Sequence, residues 1–279
     1  IKYIKNDENK FLGPSLNEGI KIAKGKYIVR MDADDISYPY RIERQFKFME
    51  ENPEVGIAGS WGDVFGLISG ELIYETDDLN IKLKLLYQFH IIHPSIIIRS
   101  DLVFKNKLFY HPSLQHSEDY DLFVRAFKLT KFANINQKLI KYRATDTSQT
   151  RESDEFRNRF YNQTKIDLFE MLGMEASVEE ILLFRSIAHH SYKQDKKFID
   201  DSRKLLETML KSNEKTRLYP VGLFNNHISL FWMNICLNTA LINGPYVLRS
   251  YLNSPLKKHN KKNNLTIIKL FIKSYLRIN

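Results

Sequence analysis

Cysteine is almost missing from the sequence. Cys236 stands alone, so no internal disulfide framework can form and the composition fits a reducing compartment. Long apolar runs are missing too: no stretch reaches the roughly 18 uninterrupted apolar residues that a membrane-spanning helix needs. Neither an aromatic-rich RNA-binding signature nor finger-type Cys/His spacing occurs, so nucleic acid is not an expected partner. Glycine and proline are held to 11 and 8 of 279 residues, while 43% of the chain is hydrophobic. That is ample for one catalytic domain plus an appendage. The charge is unbalanced toward base, at +9 with a pI near 9.3, and much of the excess falls late in the chain. Such a balance suits an anionic membrane face or phosphorylated substrates.

The chain is organised around Lys24 to Gln45. A short apolar run, Tyr27 to Met31, begins after Gly25 and stops abruptly at acid, as a buried strand bounded by turn signals does. Asp32, Asp34 and Asp35 then crowd the strand end, where unpaired carboxylates repel. A hard divalent cation, Mg²⁺ or Mn²⁺, removes that conflict through oxygen ligands. In open α/β sheets, ligands bind beyond the carboxyl ends of the strands, which is where this cluster would lie. A solvated, Asp-rich capping turn is the plainer alternative for the same residues. Pro39 suits the first turn of a following helix, whose buried face is expected to be Ile42, Phe46 and Met49.

Around this core the pattern predicts a strand at Ile1–Ile4, then a helix with Leu16, Ile20 and Ala23 on one face and Gly25 as terminator. Asn52-Pro53 ends the second helix, Val55–Gly59 reads as a buried strand, and Asp63–Tyr74 as a hairpin or irregular edge. Helical spacing returns over Leu79–Leu86, and His93-Pro94-Ser95 leads a continuous apolar strand. A second acidic cluster, Glu118-Asp119-Tyr120-Asp121, opens a helix behind Ser117 as a candidate N-cap. Phe132–Ile135 and Leu139–Tyr142 read as two short strands.

These segments resemble family 2 glycosyltransferases. Asp32-Ala33-Asp34-Asp35 followed by Ile-Ser-Tyr-Pro-Tyr-Arg-Ile-Glu-Arg-Gln is similar to the segment around that family's DxD motif. Gly13-Pro14-Ser15-Leu16-Asn17-Glu18-Gly19-Ile20 resembles the helix before it. Glu118-Asp119-Tyr120-Asp121-Leu122-Phe123-Val124-Arg125 resembles the Glu-Asp region, and Lys141-Tyr142-Arg143 with Asp146–Ser148 the closing segment. The likeness covers about residues 1–150 and implies an α/β, GT-A-like (Rossmann-like) nucleotide-sugar transferase core, followed by a mostly helical region over 151–279.

The resemblance implies an inverting, hexosyl-type transferase. It would use a nucleotide-diphospho-sugar donor, a glycan or lipid-linked acceptor and Mg²⁺ or Mn²⁺, in cell-surface glycan or polysaccharide biosynthesis. Asp119 becomes the general base, Asp34 a metal ligand with Asp35 as the fallback, and Asp32 a group on the ribose or in the metal's shell. Asn17 falls on the helix that precedes the metal site and counts with Asp32 on the donor side. Arg143 faces the diphosphate or pairs with a surface acid. Glu118 positions or binds the acceptor, and His93 borders the acceptor side or is a hydrogen-bonded structural residue. Family members open with a strand-helix-strand unit carrying an acidic pair for the base. None precedes Ile1, so the likeness implies a member short of roughly 60 to 90 residues. Two rivals stand beside it: a non-catalytic, partner-binding scaffold without nucleotide affinity, and a glycoside hydrolase working with two carboxylates.

After Arg151 helical patterns dominate, with a capping box at Ser177 and Glu180. His189-His190 lack further ligands at metal spacing and read as structural, and Trp232 reads as core. The segment Lys257–Asn279 places Lys257, Lys258, Lys261, Lys262, Lys269, Lys273 and Arg277 beside Leu265, Ile268, Ile272 and Tyr275. This is an amphipathic helix that either packs on its domain or lies on an anionic membrane. The corresponding location is cytoplasmic, peripheral at the inner membrane face.

Overall fold

The computed structural model describes residues 1–88, 90–114, 117–145, 164–259 and 264–276. Asp146–Ser148, Lys261, Lys262 and Arg277 lie outside them. The chain divides into two compact units, Ile1–Thr164 and Lys165–Asn279.

The first unit is a mixed α/β sheet that curls. Its elements run α1 (Leu12–Ile22), β1 (Tyr27–Val29), β2 (Ile36–Ser37), α2 (Arg41–Glu51), β3 (Val55–Gly66), β4 (Gly70–Leu72) and α3 (Asp78–Leu85). A 3₁₀ turn (His93–Ser95), β5 (Ile97–Arg99), α4 (Ser100–Lys105), α5 (Glu118–Ala126) and β6 (Lys131–Ala144) complete it. Strand order is β1-β5-β3-β6-β2, with β4 hairpinned onto β3. β3 and β6 run parallel and the other pairs antiparallel. β1 and β2 therefore sit at opposite ends of the strand order, yet only Arg30 to Asp35 joins them. In a flat sheet four strand spacings of about 4.8 Å would separate those edges; the sheet curls and draws them toward this short connection. The acidic cluster rides on that short bridge.

The core of this unit gathers Met49, Val55, Ala58, Ile97 and Ala133, with Tyr27, Val29 and Phe48 packed against it. Three expectations need correction. Residues 1–4 pair with no strand among the described residues, and Ile1, Tyr3 and Ile4 are exposed; four residues without a ladder have nothing to hold them extended. The buried face of α2 is Arg41, Gln45 and Met49, while Ile42 and Phe46 are each more than half exposed, at 56% and 52%. The third concerns β6, which is one strand rather than two. Its partners on β3 jump from Ser60↔Ile135 to Trp61↔Lys138, so Asn136 and Gln137 form a bulge inside a continuous ladder.

The second unit is helical: α6 (residues 164–171), α7 (Val178–Ala188), α8 (Lys196–Thr216), α9 (Val221–Asn243), α10 (Pro245–Asn253) and α11 (Asn264–Leu276). The Ser177 hydroxyl accepts from the Glu180 N–H, and the Glu180 side chain caps in return. Trp232, Phe169, Phe184 and Phe224 are fully buried. His190 is tied to the Tyr192 hydroxyl at 2.6 Å. Among the described residues no helix is long and apolar enough to cross a membrane.

Candidate active site

β1 leads into the site still hydrogen-bonded, since the Arg30 N–H donates to the Ile96 carbonyl at 3.1 Å. Beyond it the backbone turns, with the Asp35 N–H donating to the Asp32 carbonyl at 3.4 Å. Asp32, Asp34 and Asp35 can each present a carboxylate oxygen within 4.8 Å of the others. Arg143 on β6 pins this turn twice: its N–H donates to Asp35 Oδ1 at 2.8 Å, and its Nε to the Asp34 carbonyl at 2.7 Å. Its guanidinium lies over the Phe65 ring, 4.3 Å from the centroid. Burial raises the Asp32 carboxyl despite Arg30 alongside. Asp35 is pushed up to about 6, first by burial, while the Arg143 N–H opposes and Asp32 and Asp34 add to the rise.

Two arginines that sequence reasoning missed hold the bridge. Arg41 is buried; its Nη2 donates to the Arg30 carbonyl at 2.7 Å and to the Pro94 carbonyl at 2.9 Å. Its Nε donates to Gln45 Oε1 at 3.1 Å, and Gln45 Nε2 donates to the Ser95 carbonyl at 2.6 Å. One face of α2 is thus polar because it satisfies carbonyls of β1's end and of the His93–Ser95 turn. Burial, then Arg30, brings the Arg41 guanidinium down to about 10, which leaves it charged at neutral pH. Arg30 is also buried. Its Nη2 pairs with Asp32 Oδ1, while Nε and Nη1 have no hydrogen-bond partner among the described residues. The only trace in the sequence is a cation inside the apolar run Tyr27–Met31, next to the acid.

The second acidic cluster is built from α5 and the loop before it. Asn17 on α1 clamps that loop with both amide atoms, accepting from the Tyr110 N–H at 2.9 Å and donating to its carbonyl at 2.8 Å. The Tyr110 hydroxyl meets His93 Nε2 at 2.7 Å. A Cβ at Gly13 would sit 3.3 Å from the Tyr110 Cβ and 3.6 Å from that of Glu118, so glycine lets α1 lie close to this loop. Arg125 ties α5 down, donating to Asp121 Oδ2 from both Nε and Nη2 and to the Phe109 carbonyl. Ser117 takes the N-cap position without a capping hydrogen bond from its hydroxyl. Glu118 is buried, and its Oε2 has no partner among the described residues.

Asp119 is half-buried, and its carboxyl is pushed up to about 7. Burial is the main cause and Glu118 the second, while the Tyr120 N–H and Arg30 oppose them. Burial holds the His93 imidazole well below its ordinary value, with Arg30 adding to the effect, so the ring is neutral.

Arg30 acts electrostatically on Asp32, Asp35, His93, Tyr110 and Asp119. The two acidic clusters, read apart in the sequence, therefore share one neighbourhood around a buried cation. Asp34 is the exposed member of the first cluster. Asn17 is there through Tyr110, with both of its amide atoms engaged by that residue's backbone.

Residues 1–115 match the family model described as Glycosyl transferase family 2. Over that stretch, about two fifths of its length, the chain is similar to glycosyl transferase family 2. An uncharacterized glycosyltransferase of Methanocaldococcus jannaschii is 38% identical over 148 residues, 51% of this chain and 50% of that protein. The amylovoran biosynthesis glycosyltransferase AmsE of Erwinia amylovora is 31% identical over 143 residues, 50% of this chain and 52% of that protein. An uncharacterized glycosyltransferase of Haemophilus influenzae is 26% identical over 98% of this chain and 79% of its own length. The chain thus spans about half the length of the first two relatives. Among solved structures, that of S. aureus TarS 1-349 matches with a TM-score of 0.51 at 14% identity, covering 88% of this chain and 69% of that one. TarS 1-349 in complex with UDP-GlcNAc matches with a TM-score of 0.50 at 14% identity, covering 86% and 68%. The fold is GT-A-like, with a helical region after it.

Proposed function

We propose that this chain transfers a hexosyl-type sugar, with inversion, from a nucleotide-diphospho-sugar to a hydroxyl of a glycan or lipid-linked acceptor. The product would be a cell-surface glycan or polysaccharide. One observation carries the reading: a carboxyl whose proton is poised near neutral pH, Asp119, shares a buried arginine with a three-carboxylate cluster at the end of a sheet strand. Such a pairing supplies what displacement at an anomeric carbon needs, a base on the acceptor side and an anion-handling site on the donor side. The TarS complex with UDP-GlcNAc on a similar fold and the amylovoran biosynthesis relative lend support.

In this mechanism the acceptor oxygen attacks the anomeric carbon from the face opposite the diphosphate. The new C–O bond forms as the bond to the diphosphate oxygen breaks, and its electron pair departs with the nucleoside diphosphate. The hydroxyl proton passes to the Asp119 carboxylate. Glu118 and the neutral His93 border the acceptor, and Arg30 keeps positive charge between the two clusters.

The first cluster suits Mg²⁺ or Mn²⁺. Its donors are all carboxylate oxygens, they converge within 4.8 Å, and the buried Asp35 Oδ2 has no partner among the described residues. Asp34 and Asp35 would be its ligands, with Asp32 on the ribose or in the metal's shell and Arg143 on the donor side. A cation held there would supply charge neutralisation for the leaving diphosphate.

The test is transfer by an Asp119→Asn variant, scored beside its binding of UDP in the presence of Mn²⁺. Transfer should fall by about 10² to 10⁴, the usual weight of general-base catalysis, while nucleotide binding persists. Full transfer by the Asn variant would overturn the base assignment.

A further inference from the structure

From Lys215 to Asn279 the sequence contains ten Lys and Arg and not one Asp or Glu. That stretch alone exceeds the +9 of the whole chain, so the remaining residues are close to neutral. The excess base is therefore not a solvating coat spread over the molecule. It is concentrated in one part of the helical unit, away in sequence from both acidic clusters.

Within that stretch α11 has an unusual surface. It packs against α9 and α10 through one narrow face, on which Leu270 and Ser274 are buried. Residues at helical spacing beside that face are apolar and exposed: Ile267, Ile268, Phe271 and Tyr275, the last three at 52%, 52% and 55%. Phe271 and Tyr275 lie against each other, with ring centroids 4.9 Å apart. Lys269, exposed, lies on the far flank of the stripe beyond Ile272, while Lys273 is half-buried and turns back to the Leu237 carbonyl of α9 at 3.4 Å. Lys257 and Lys258, exposed on the 3₁₀ turn Pro255–His259 that precedes the helix, carry the same sign.

We infer that α11 is a docking surface for a bilayer rich in anionic lipid, lying in the interface with Ile268, Phe271 and Tyr275 among the acyl chains and the exposed Lys257, Lys258 and Lys269 at the headgroups. Apolar exposure and cation concentration coincide on one helix, and a bilayer of this kind satisfies both. A second copy of the chain would bring the same cations face to face without acid to offset them. A purely polyanionic partner would leave the aromatic pair in water. The inference stands independently of the sugar-transfer reading.

Co-sedimentation of the full chain with vesicles tests it, using equal parts phosphatidylglycerol and phosphatidylcholine against phosphatidylcholine alone. The chain should sediment with the anionic vesicles, fail to do so with the zwitterionic ones, and be released as salt is raised. Lys269→Gln should weaken binding about fivefold, the weight of one lysine near a charged surface. Phe271→Ser with Tyr275→Ser should weaken it further, while circular dichroism stays that of the wild type. Equal affinity for both vesicle types, binding to neither, or wild-type binding by the Ser double variant would overturn it. So would a dimer in light scattering that the double variant dissolves, since the apolar stripe would then be covered by protein.

Discussion

Asp119 keeps its proton to about pH 7 because it is half out of water and next to Glu118. As a base it works only when ionised, so transfer should climb about tenfold per pH unit below 7 and level off above. Arg30 favours the ionised form, so Arg30→Met should move that rising limb to higher pH; an unmoved limb would remove Arg30 from the account. The same carboxyl has a signed effect on stability. Its folded value lies above the ordinary value of about 4, so the folded state holds the proton more tightly. The stability this gives is complete below about pH 4 and is lost as pH rises through 7. Between pH 5 and pH 8 the melting temperature of Asp119→Asn should therefore fall less than that of the wild type. Arg30 was the residue least visible in the sequence. A lone cation in an apolar run has no periodicity, and its partners Asp32 and Asp119 stand at separations of two and 89 residues.

At the scale of elements, α2 and β6 mark where reading by pattern succeeded and failed. The acidic clusters were legible because they interrupt apolar runs, and the hairpin at Asp63–Tyr74 because Gly66 and Gly70 break the strand where β3 hands over to β4. The inner face of α2 was not. Ile42 and Phe46 suggest one helical phase, but the carbonyls of Arg30, Pro94 and Ser95 select Arg41 and Gln45 instead. Those acceptors lie 11 to 53 residues away, where no local window reaches. Asn136-Gln137 imitates a turn for the same reason, since only the β3 partner reveals a bulge. Arg41→Met should cost about 3 kcal/mol, the loss of charge-assisted bonds to two buried carbonyls, read as a fall in the denaturation midpoint. In the sheet, a Cβ at Gly59 would press on Asn134 Oδ1, on Ile91 Cγ2 at 2.7 Å and on Ser95 Oγ at 3.3 Å. Gly59→Ala should therefore destabilise by about 2 kcal/mol. Wild-type stability in either variant would contradict the packing described.

Across the whole molecule the fold assigns tasks to places. A curled mixed sheet brings β1 and β2 within a six-residue bridge and hangs the acidic cluster on it, while a separate helical unit holds the concentrated base. The fold class was legible because segments resembling three of the family's motifs stand in its order along the first 150 residues. The sheet's curvature was not, because it follows from which strands pair rather than from any single segment. Nucleotide and cation binding at the bridge is the claim on which the rest depends. Calorimetric titration of the chain with UDP, with and without Mn²⁺ and in wild type and Asp34→Ala, tests it most directly. The account predicts binding that requires Mn²⁺ and disappears in Asp34→Ala. UDP binding that survives chelation of the metal or the loss of Asp34, or no binding by the folded wild-type chain, would contradict it.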